Sequence, residues 1–147
     1  MLYFDSAYIA KCYVREPGSD EVLDLAEGCA GRASLALAIV EVHAVFHRHF
    51  REGELTQEQL LETCLRFDRD QRSGVWDWLP MDTPSLQKAG RRFRQLSSKV
   101  FLRSADCLHL TAASEADFTD IYSNDKHLLS AAPHFGLRGI NVIPNAG

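Results

Sequence analysis

Short apolar runs of strand length alternate with longer amphipathic stretches along most of this 147-residue chain. The strand-like runs fall at residues 2–4, 32–35, 75–79, 120–123 and 139–143, and the stretches between them have helical periodicity. Strands separated by helices are joined by crossover connections, which produce parallel sheets covered by helices on both faces. The alternation therefore predicts an α/β fold with a mostly parallel sheet, formed as a single domain over residues 1–147.

Composition narrows the class of protein further. Apolar residues make up 46% of the chain and charged residues 24%, which is typical of a globular domain with a real core. No apolar stretch approaches the roughly 20 residues that a membrane span needs, and Met1 is not followed by a basic leader. The four cysteines lack the spacing of a zinc or redox motif, and His43 and His47, one helical turn apart, have no third ligand in view. We therefore expect a cytoplasmic protein.

Positive charge is concentrated in one segment, although the chain carries a formal net charge of −4. Between Ser85 and Ala105 there is no acidic residue, and six of the sixteen lysines and arginines lie there. A basic surface of this kind can face a polyanion while the protein stays acidic as a whole. A solvated basic helix would explain the same pattern equally well. The basic residues are Lys88, Arg91, Arg92, Arg94, Lys99 and Arg103.

Four acidic residues occupy positions where a sheet of this kind forms binding sites. Asp5 and Asp125 follow predicted strands, and Asp106 lies in the first turn of a predicted helix. Glu41 is the only acid in residues 32–50 and shares its helix face with apolar side chains. Each has a structural alternative, which is a cap or turn for the three aspartates and a buried ion pair for Glu41. Because the carboxyl ends of parallel strands meet at one edge of a sheet, we expect the four to converge.

Converging carboxylates repel one another strongly unless protons or cations neutralise them. Carboxylate oxygens are hard ligands, which select Mg²⁺ or Mn²⁺. The four acids therefore predict a divalent metal site. Ser6 and Ser123 each lie close in sequence to a strand-end aspartate, and we expect them to orient the carboxylates of this site.

The segments that carry these acids resemble the four motifs of the PIN-domain family, and within it the VapC-like toxins of toxin–antitoxin pairs. Tyr3–Ser6 resembles the opening strand with its Asp-Ser end, and Leu37–Val42 resembles the second acidic position. Arg103–Ala113 is similar to the third motif, the most specific of the set, and Tyr122–Leu128 is similar to the fourth. The order and spacing of the motifs fit over almost the whole chain.

The resemblance implies a three-layer α/β/α sandwich around a central, mostly parallel sheet of about five strands. It also implies an endoribonuclease that uses Mg²⁺ or Mn²⁺, a homodimer, and a small antitoxin protein that blocks the site. The residues that would hold the metal and catalyse RNA hydrolysis are Asp5, Glu41, Asp106 and Asp125. Arginines of the basic segment would contact the RNA backbone. These are Arg91, Arg92, Arg94 and Arg103.

Two other classes of protein with a strand-end aspartate fit this sequence less well. A phosphatase with Asp5 as nucleophile usually needs a second aspartate two residues later, where this chain has Ala7. A receiver-type signalling domain would use a strand-end aspartate but leaves Glu41 unexplained. A non-catalytic interaction module, whose acidic cluster is structural or only binds metal, stays open as the alternative. Whether Glu16, near the end of the first helix, joins the site also stays open.

Overall fold

The computed structural model of the chain describes residues 1–144. Strands and helices alternate along them as expected, and none of these helices is long and apolar enough to cross a bilayer. The strands are β1 (Leu2–Tyr3), β2 (Arg32–Leu35), β3 (Trp76–Leu79), β4 (Asp120–Tyr122) and β5 (Arg138–Ile140). The helices are α1 (Ser6–Lys11), α2 (Ser19–Gly28), α3 (Ala38–Arg51), α4 (Gln57–Arg72), α5 (Thr83–Gln95), α6 (Ser104–Glu115) and α7 (Lys126–Ala131), followed by a 3₁₀ turn (Ala132–Phe135).

All strand pairings in residues 1–144 are parallel. β2 lies between β1 and β3 in a three-stranded sheet, and β4 pairs with β5 in a two-stranded sheet. The two sheets meet at an isolated parallel bridge between Phe4 and Tyr122. The expected central sheet of about five strands is therefore divided into ladders of three and two strands, which is a correction to the strand count of the sheet. The ladder is interrupted because the chain turns into α1 at Ser6, so only Phe4 and Asp5 reach β4.

The last strand is also shorter than the run at residues 139–143 suggested. β5 ends at Ile140, and the backbone beyond it bonds to side chains instead of to a strand. The Tyr8 hydroxyl accepts a hydrogen bond from Val142 N at 2.8 Å and donates to Asn141 Oδ1 at 2.7 Å. Asn141 Oδ1 also accepts from Ile143 N, at 3.0 Å. These bonds fasten the chain after β5 to α1.

The strands carry a hydrophobic core on each face, which makes three layers. Successive side chains of a strand point to opposite faces, so the adjacent residues Tyr3 and Phe4, both fully buried, belong to different cores. Phe4 packs with residues of α1 to α4, whereas Tyr3 packs with residues of α5 to α7. The expected α/β/α arrangement is confirmed.

Phe4 is fully buried in the core that the strands form with α1 to α4. Its ring makes edge-to-face contacts with Tyr8, Trp76 and Tyr122, at centroid distances of 5.8, 5.8 and 5.9 Å. We expect Phe4→Ala to lower the free energy of unfolding by about 3–5 kcal/mol, because the change leaves a cavity between α1 and the strands. Phe101→Ala is the matched control, since Phe101 is 60% exposed and its loss should change stability by about 0.5 kcal/mol or less. Urea denaturation of both variants tests this, and equal effects would contradict it.

Candidate active site

An open cleft of about 520 Å³ lies where β1 and β4 end and α6 begins. The four acids singled out from the sequence all line it, and they come from four separate parts of the chain. They are Asp5, Glu41, Asp106 and Asp125. The remaining lining residues are one arginine and several small or polar side chains. These are Ser6, Ala7, Arg103, Ser104, Ala105 and Asn124.

Asp5 is the most buried of the four carboxylates, with the residue only 5% exposed. It caps α1 by accepting a hydrogen bond from Tyr8 N at 2.9 Å, and it accepts a second from Ser123 Oγ at 2.5 Å. Burial raises the pKa of Asp5 to about 6, although both hydrogen bonds favour the ionised form and oppose the rise. The carboxylate is therefore ionised at neutral pH at an energetic cost, which a nearby cation would offset.

Ser123 connects the ends of the two neighbouring strands. Its buried hydroxyl donates to Asp5 and accepts a hydrogen bond from Asp125 N at 2.9 Å. Asp125 in turn caps α7, because its Oδ1 accepts from His127 N at 2.8 Å. Its other oxygen, Oδ2, accepts from Arg103. One serine thus fixes two of the acids relative to each other, which is the contact that an orienting residue requires.

A histidine that the sequence analysis missed holds Glu41 in place. His109, on α6, is 2% exposed, and its Nε2 lies 2.7 Å from Glu41 Oε1. Its Nδ1 lies 2.7 Å from the hydroxyl of Tyr3, which accepts a hydrogen bond from Leu35 N at 3.0 Å. Burial raises the pKa of Tyr3, so the phenol keeps its proton and donates it to Nδ1. His109 then donates from Nε2 to Glu41. A polar residue at a buried position of α6 was the only signal in the sequence.

Arg103 supplies the positive charge inside the cleft. Its Nε donates to Asp106 Oδ2 at 3.0 Å, and its Nη2 donates to Asp125 Oδ2. The side chain is 58% exposed, so water screens both ion pairs, and each stabilises the fold by about 1 kcal/mol or less. A guanidinium held this weakly can leave the carboxylates when another cation or a phosphate group enters.

The carboxylates are not gathered as a finished metal centre. Nowhere in residues 1–144 are three or more histidine, cysteine or acidic side chains close enough together to hold an ion. The donor set nevertheless suits a hard divalent cation, because four carboxylates face one cleft. Glu41 Oε2 and Asp106 Oδ1 accept no hydrogen bond from the described residues and are available as ligands.

The arginines of α5 lie elsewhere. None of Arg91, Arg92 and Arg94 lines the cleft. Arg92 donates to the carbonyl of His134 at 3.0 Å, and its guanidinium lies 4.3 Å from the ring centroid of Phe135, so it packs against the 3₁₀ turn. Arg91 and Arg94 are exposed. Of the four arginines singled out, the structure brings only Arg103 to the acids.

Glu16, whose place was left open, lies outside the cleft. Its carboxylate is held by three basic side chains: Lys11 at 3.3 Å, Arg48 at 3.3 Å and His49 Nε2 at 2.7 Å. Ser6, by contrast, lines the cleft but makes no hydrogen bond to an acid of the described chain. Ser6 therefore lacks the hydrogen bond to an acid that Ser123 makes.

The raised pKa of Asp5 predicts a pH-dependent stability in the presence of a chelator. The folded-state pKa of about 6 lies above the ordinary value of 3.8, so folding favours the neutral carboxyl. The contribution of the Asp5 carboxyl to the free energy of unfolding is fully present below pH 3.8 and is lost as the pH rises through about 6. Relative to the wild type, Asp5→Asn should therefore gain about 2–3 kcal/mol of unfolding free energy between pH 4 and pH 8. Urea denaturation at several pH values measures this difference.

The matched control is Asp24→Asn, because Asp24 is an exposed acid on α2. Its unfolding free energy should follow that of the wild type across the same pH range. A constant difference between wild type and Asp5→Asn at all pH values would contradict the buried, raised-pKa carboxyl.

No protein-family model and no curated protein matches the sequence. Solved structures do match its fold. A chain in the structure of FitAB bound to the IR36 DNA fragment has a TM-score of 0.69 and 12% identity, covering 100% of this chain and 99% of that one. A chain of FitAcB from Neisseria gonorrhoeae has a TM-score of 0.66 and 14% identity, covering 97% and 98%.

A third match is a chain of VapBC2 from Rickettsia felis bound to a DNA fragment from their promoter. Its TM-score is 0.61 and its identity 13%, covering 96% of this chain and 98% of that one. At such low identities the likeness establishes the fold and not the activity. The chain therefore has the fold of the FitB and VapC PIN-domain proteins, the group that its four sequence motifs resemble.

Proposed function

We propose that the chain is the toxin of a toxin–antitoxin pair, and that it acts in the cytoplasm as a metal-dependent endoribonuclease. One observation carries the proposal: four acids, scattered from position 5 to position 125, line one cleft at the ends of neighbouring parallel strands. The fold shared with the FitB and VapC proteins supports the same function.

The proposed cofactor is Mg²⁺ or Mn²⁺, held by Asp5, Glu41, Asp106 and Asp125, directly or through water. When bound, such a cation supplies the positive charge that activates a water molecule and stabilises charge developing on the phosphate. The chain's own part is to hold the ligands. Ser123 fixes Asp5 and the backbone at Asp125, and His109 fixes Glu41.

The proposed substrate is RNA, and Arg103 is the residue best placed to meet its backbone. Its guanidinium lies in the cleft and is more than half exposed. A guanidinium can bind two phosphate oxygens at once. The Nε and Nη2 donors that now bind two carboxylates could form such a pair of bonds. When cations satisfy the carboxylates, Arg103 becomes free to hold a phosphate group beside them.

Nuclease activity is tested by incubating single-stranded RNA with the protein and Mn²⁺. We expect cleavage that stops with a chelator, and a loss of at least about 100-fold in Asp5→Asn and in Glu41→Gln, because even residues that only orient metal ligands cost 10–100-fold. Asp24→Asn, which removes an exposed carboxylate, is the control and should cleave normally. Full activity of a folded Asp5→Asn variant would overturn the proposed mechanism.

Arg103 should affect metal binding and RNA binding in opposite directions. Arg103→Ala removes a positive charge that competes with the ion for Asp106 and Asp125. We expect Mn²⁺ to bind about 2- to 5-fold more tightly to the variant. The effect is small because exposed ion pairs are weak, so little free energy is spent on displacing Arg103 in the wild type. RNA should bind more weakly, with a smaller dependence on salt.

Calorimetric titration of Mn²⁺ into the RNA-free protein separates the two effects. Arg94→Ala is the control, because Arg94 is exposed on α5 and does not line the cleft. Weaker Mn²⁺ binding by Arg103→Ala would show that the arginine supports the metal site instead of competing with it.

The proposed partners are a small antitoxin and a second copy of the chain. The matched structures contain FitAB and VapBC2 complexes, which supports an antitoxin partner. Two exposed leucines one turn apart on α4, Leu61 and Leu65, give the surface an apolar strip of the kind that partner proteins cover. The homodimer stays a prediction.

A non-catalytic interaction module is the second candidate, and one observation favours it. Each carboxylate already has a protein partner: Ser123 for Asp5, His109 for Glu41, and Arg103 for the other two. The cluster can therefore persist without a metal ion. Under this alternative RNA would stay uncleaved in the presence of Mn²⁺, whether or not the cluster binds the ion, so the cleavage assay distinguishes the two functions.

A further inference from the structure

We propose that Phe101, supported by His127, is a stacking site at the rim of the acidic cleft that holds one unpaired nucleobase of the RNA. The inference rests on the proposed ribonuclease function. It adds a contact to the base, whereas the acids and Arg103 act on the phosphate. The side chains of Phe101 and His127 together form this stacking pair.

Both side chains of the stacking pair are exposed to solvent. Phe101 lies between α5 and α6 and is 60% exposed. His127, in the first turn of α7, is also exposed, and the two ring centroids are 4.6 Å apart with the planes at 59°. Single exposed apolar side chains are common and need no function. Phe101 differs because a second aromatic ring supports it while most of its surface stays open to a ligand.

Contacts connect the stacking pair directly to the cleft. His127 N donates to Asp125 Oδ1 at 2.8 Å, and Asp125 Oδ2 is bound by Arg103. Arg103 follows Phe101 by two residues, so their Cα atoms lie at most about 7 Å apart. A nucleotide whose phosphate group meets Arg103 can therefore place its base on Phe101.

The charge beside the stacking pair favours a nucleic acid over an apolar peptide. Lys99 and Arg103, both exposed, flank Phe101 in the same segment, and residues 85–105 contain no acid. Proteins that bind single strands combine basic side chains for the backbone with aromatic side chains for the bases. Every base has a flat face that can stack, but a duplex hides it, so the stacking pair selects an unpaired base.

The test measures RNA binding in full-length chains that also carry Asp5→Asn and therefore cannot cleave. A short single-stranded RNA containing 2-aminopurine reports stacking by loss of its fluorescence. We expect strong quenching with Asp5→Asn alone, and retained quenching when Phe101→Trp is added. Phe101→Ala should abolish the quenching and weaken RNA binding by about 5- to 150-fold. Leu86→Ala, which removes an exposed apolar side chain of α5, is the control and should change neither quantity.

An RNA that lacks the base, combined with Phe101→Ala, forms a double-mutant cycle. If the base is what Phe101 holds, removing it should weaken binding to the parent protein as much as Phe101→Ala does. The two changes together should then cost little more than either alone. Equal binding and quenching with and without Phe101 would overturn the stacking site, even if RNA is cleaved as proposed. Conversely, if quenching depends on Phe101 but the wild-type protein does not cleave RNA, the stacking site would be supported and the proposed nuclease activity contradicted. Absence of any RNA binding would overturn it as well.

Discussion

The buried carboxylate of Asp5 is the constraint on which the architecture of the site depends. It lies between β1 and α1, caps α1 and accepts a hydrogen bond from a serine that follows the neighbouring strand. Because the chain turns into α1 directly after Asp5, this segment makes only the Phe4–Tyr122 bridge to β4, and the sheet is divided. The same turn places the carboxylate of Asp5 at the carboxyl ends of the strands, which is where open α/β sheets bind their ligands. The local break in the sheet and the cleft have one cause.

Charge balance explains how four acids persist together in the folded chain. Burial makes ionised Asp5 costly, a histidine donates to Glu41, and one exposed arginine pairs with Asp106 and Asp125. These interactions are individually modest, since Arg103 is screened by water and Glu41 is a quarter exposed. Compensation by weak, reversible partners differs from compensation by buried ion pairs, because it leaves carboxylate oxygens available to an entering cation. Such an arrangement gives each acid a partner within the chain and leaves some of the carboxylate oxygens free of hydrogen bonds.

Part of this site was visible in the sequence. Glu41 was singled out because no other acid lies near it in an apolar helix, and that helix does bring it to the cleft. Its partner His109 was missed, since the two residues are 68 positions apart and nothing local connects them. Arg103 makes one contact that the sequence predicts and one that only the tertiary structure shows. Its pair with Asp106 follows from the spacing of three residues, whereas its pair with Asp125 depends on how β4 and α7 are placed.

The sequence alone determined the alternation of strands and helices, the parallel connections that this alternation requires, and the positions of the acids at strand and helix ends. Those features are local, because periodicity and capping act within a few residues. Only the tertiary structure decided that the sheet is divided between β1 and β4, that Arg92 packs against the 3₁₀ turn, and that Phe101 meets His127 beside the cleft. Each of these depends on contacts between segments distant in the chain, whose geometry is fixed by packing on the two faces of the strands.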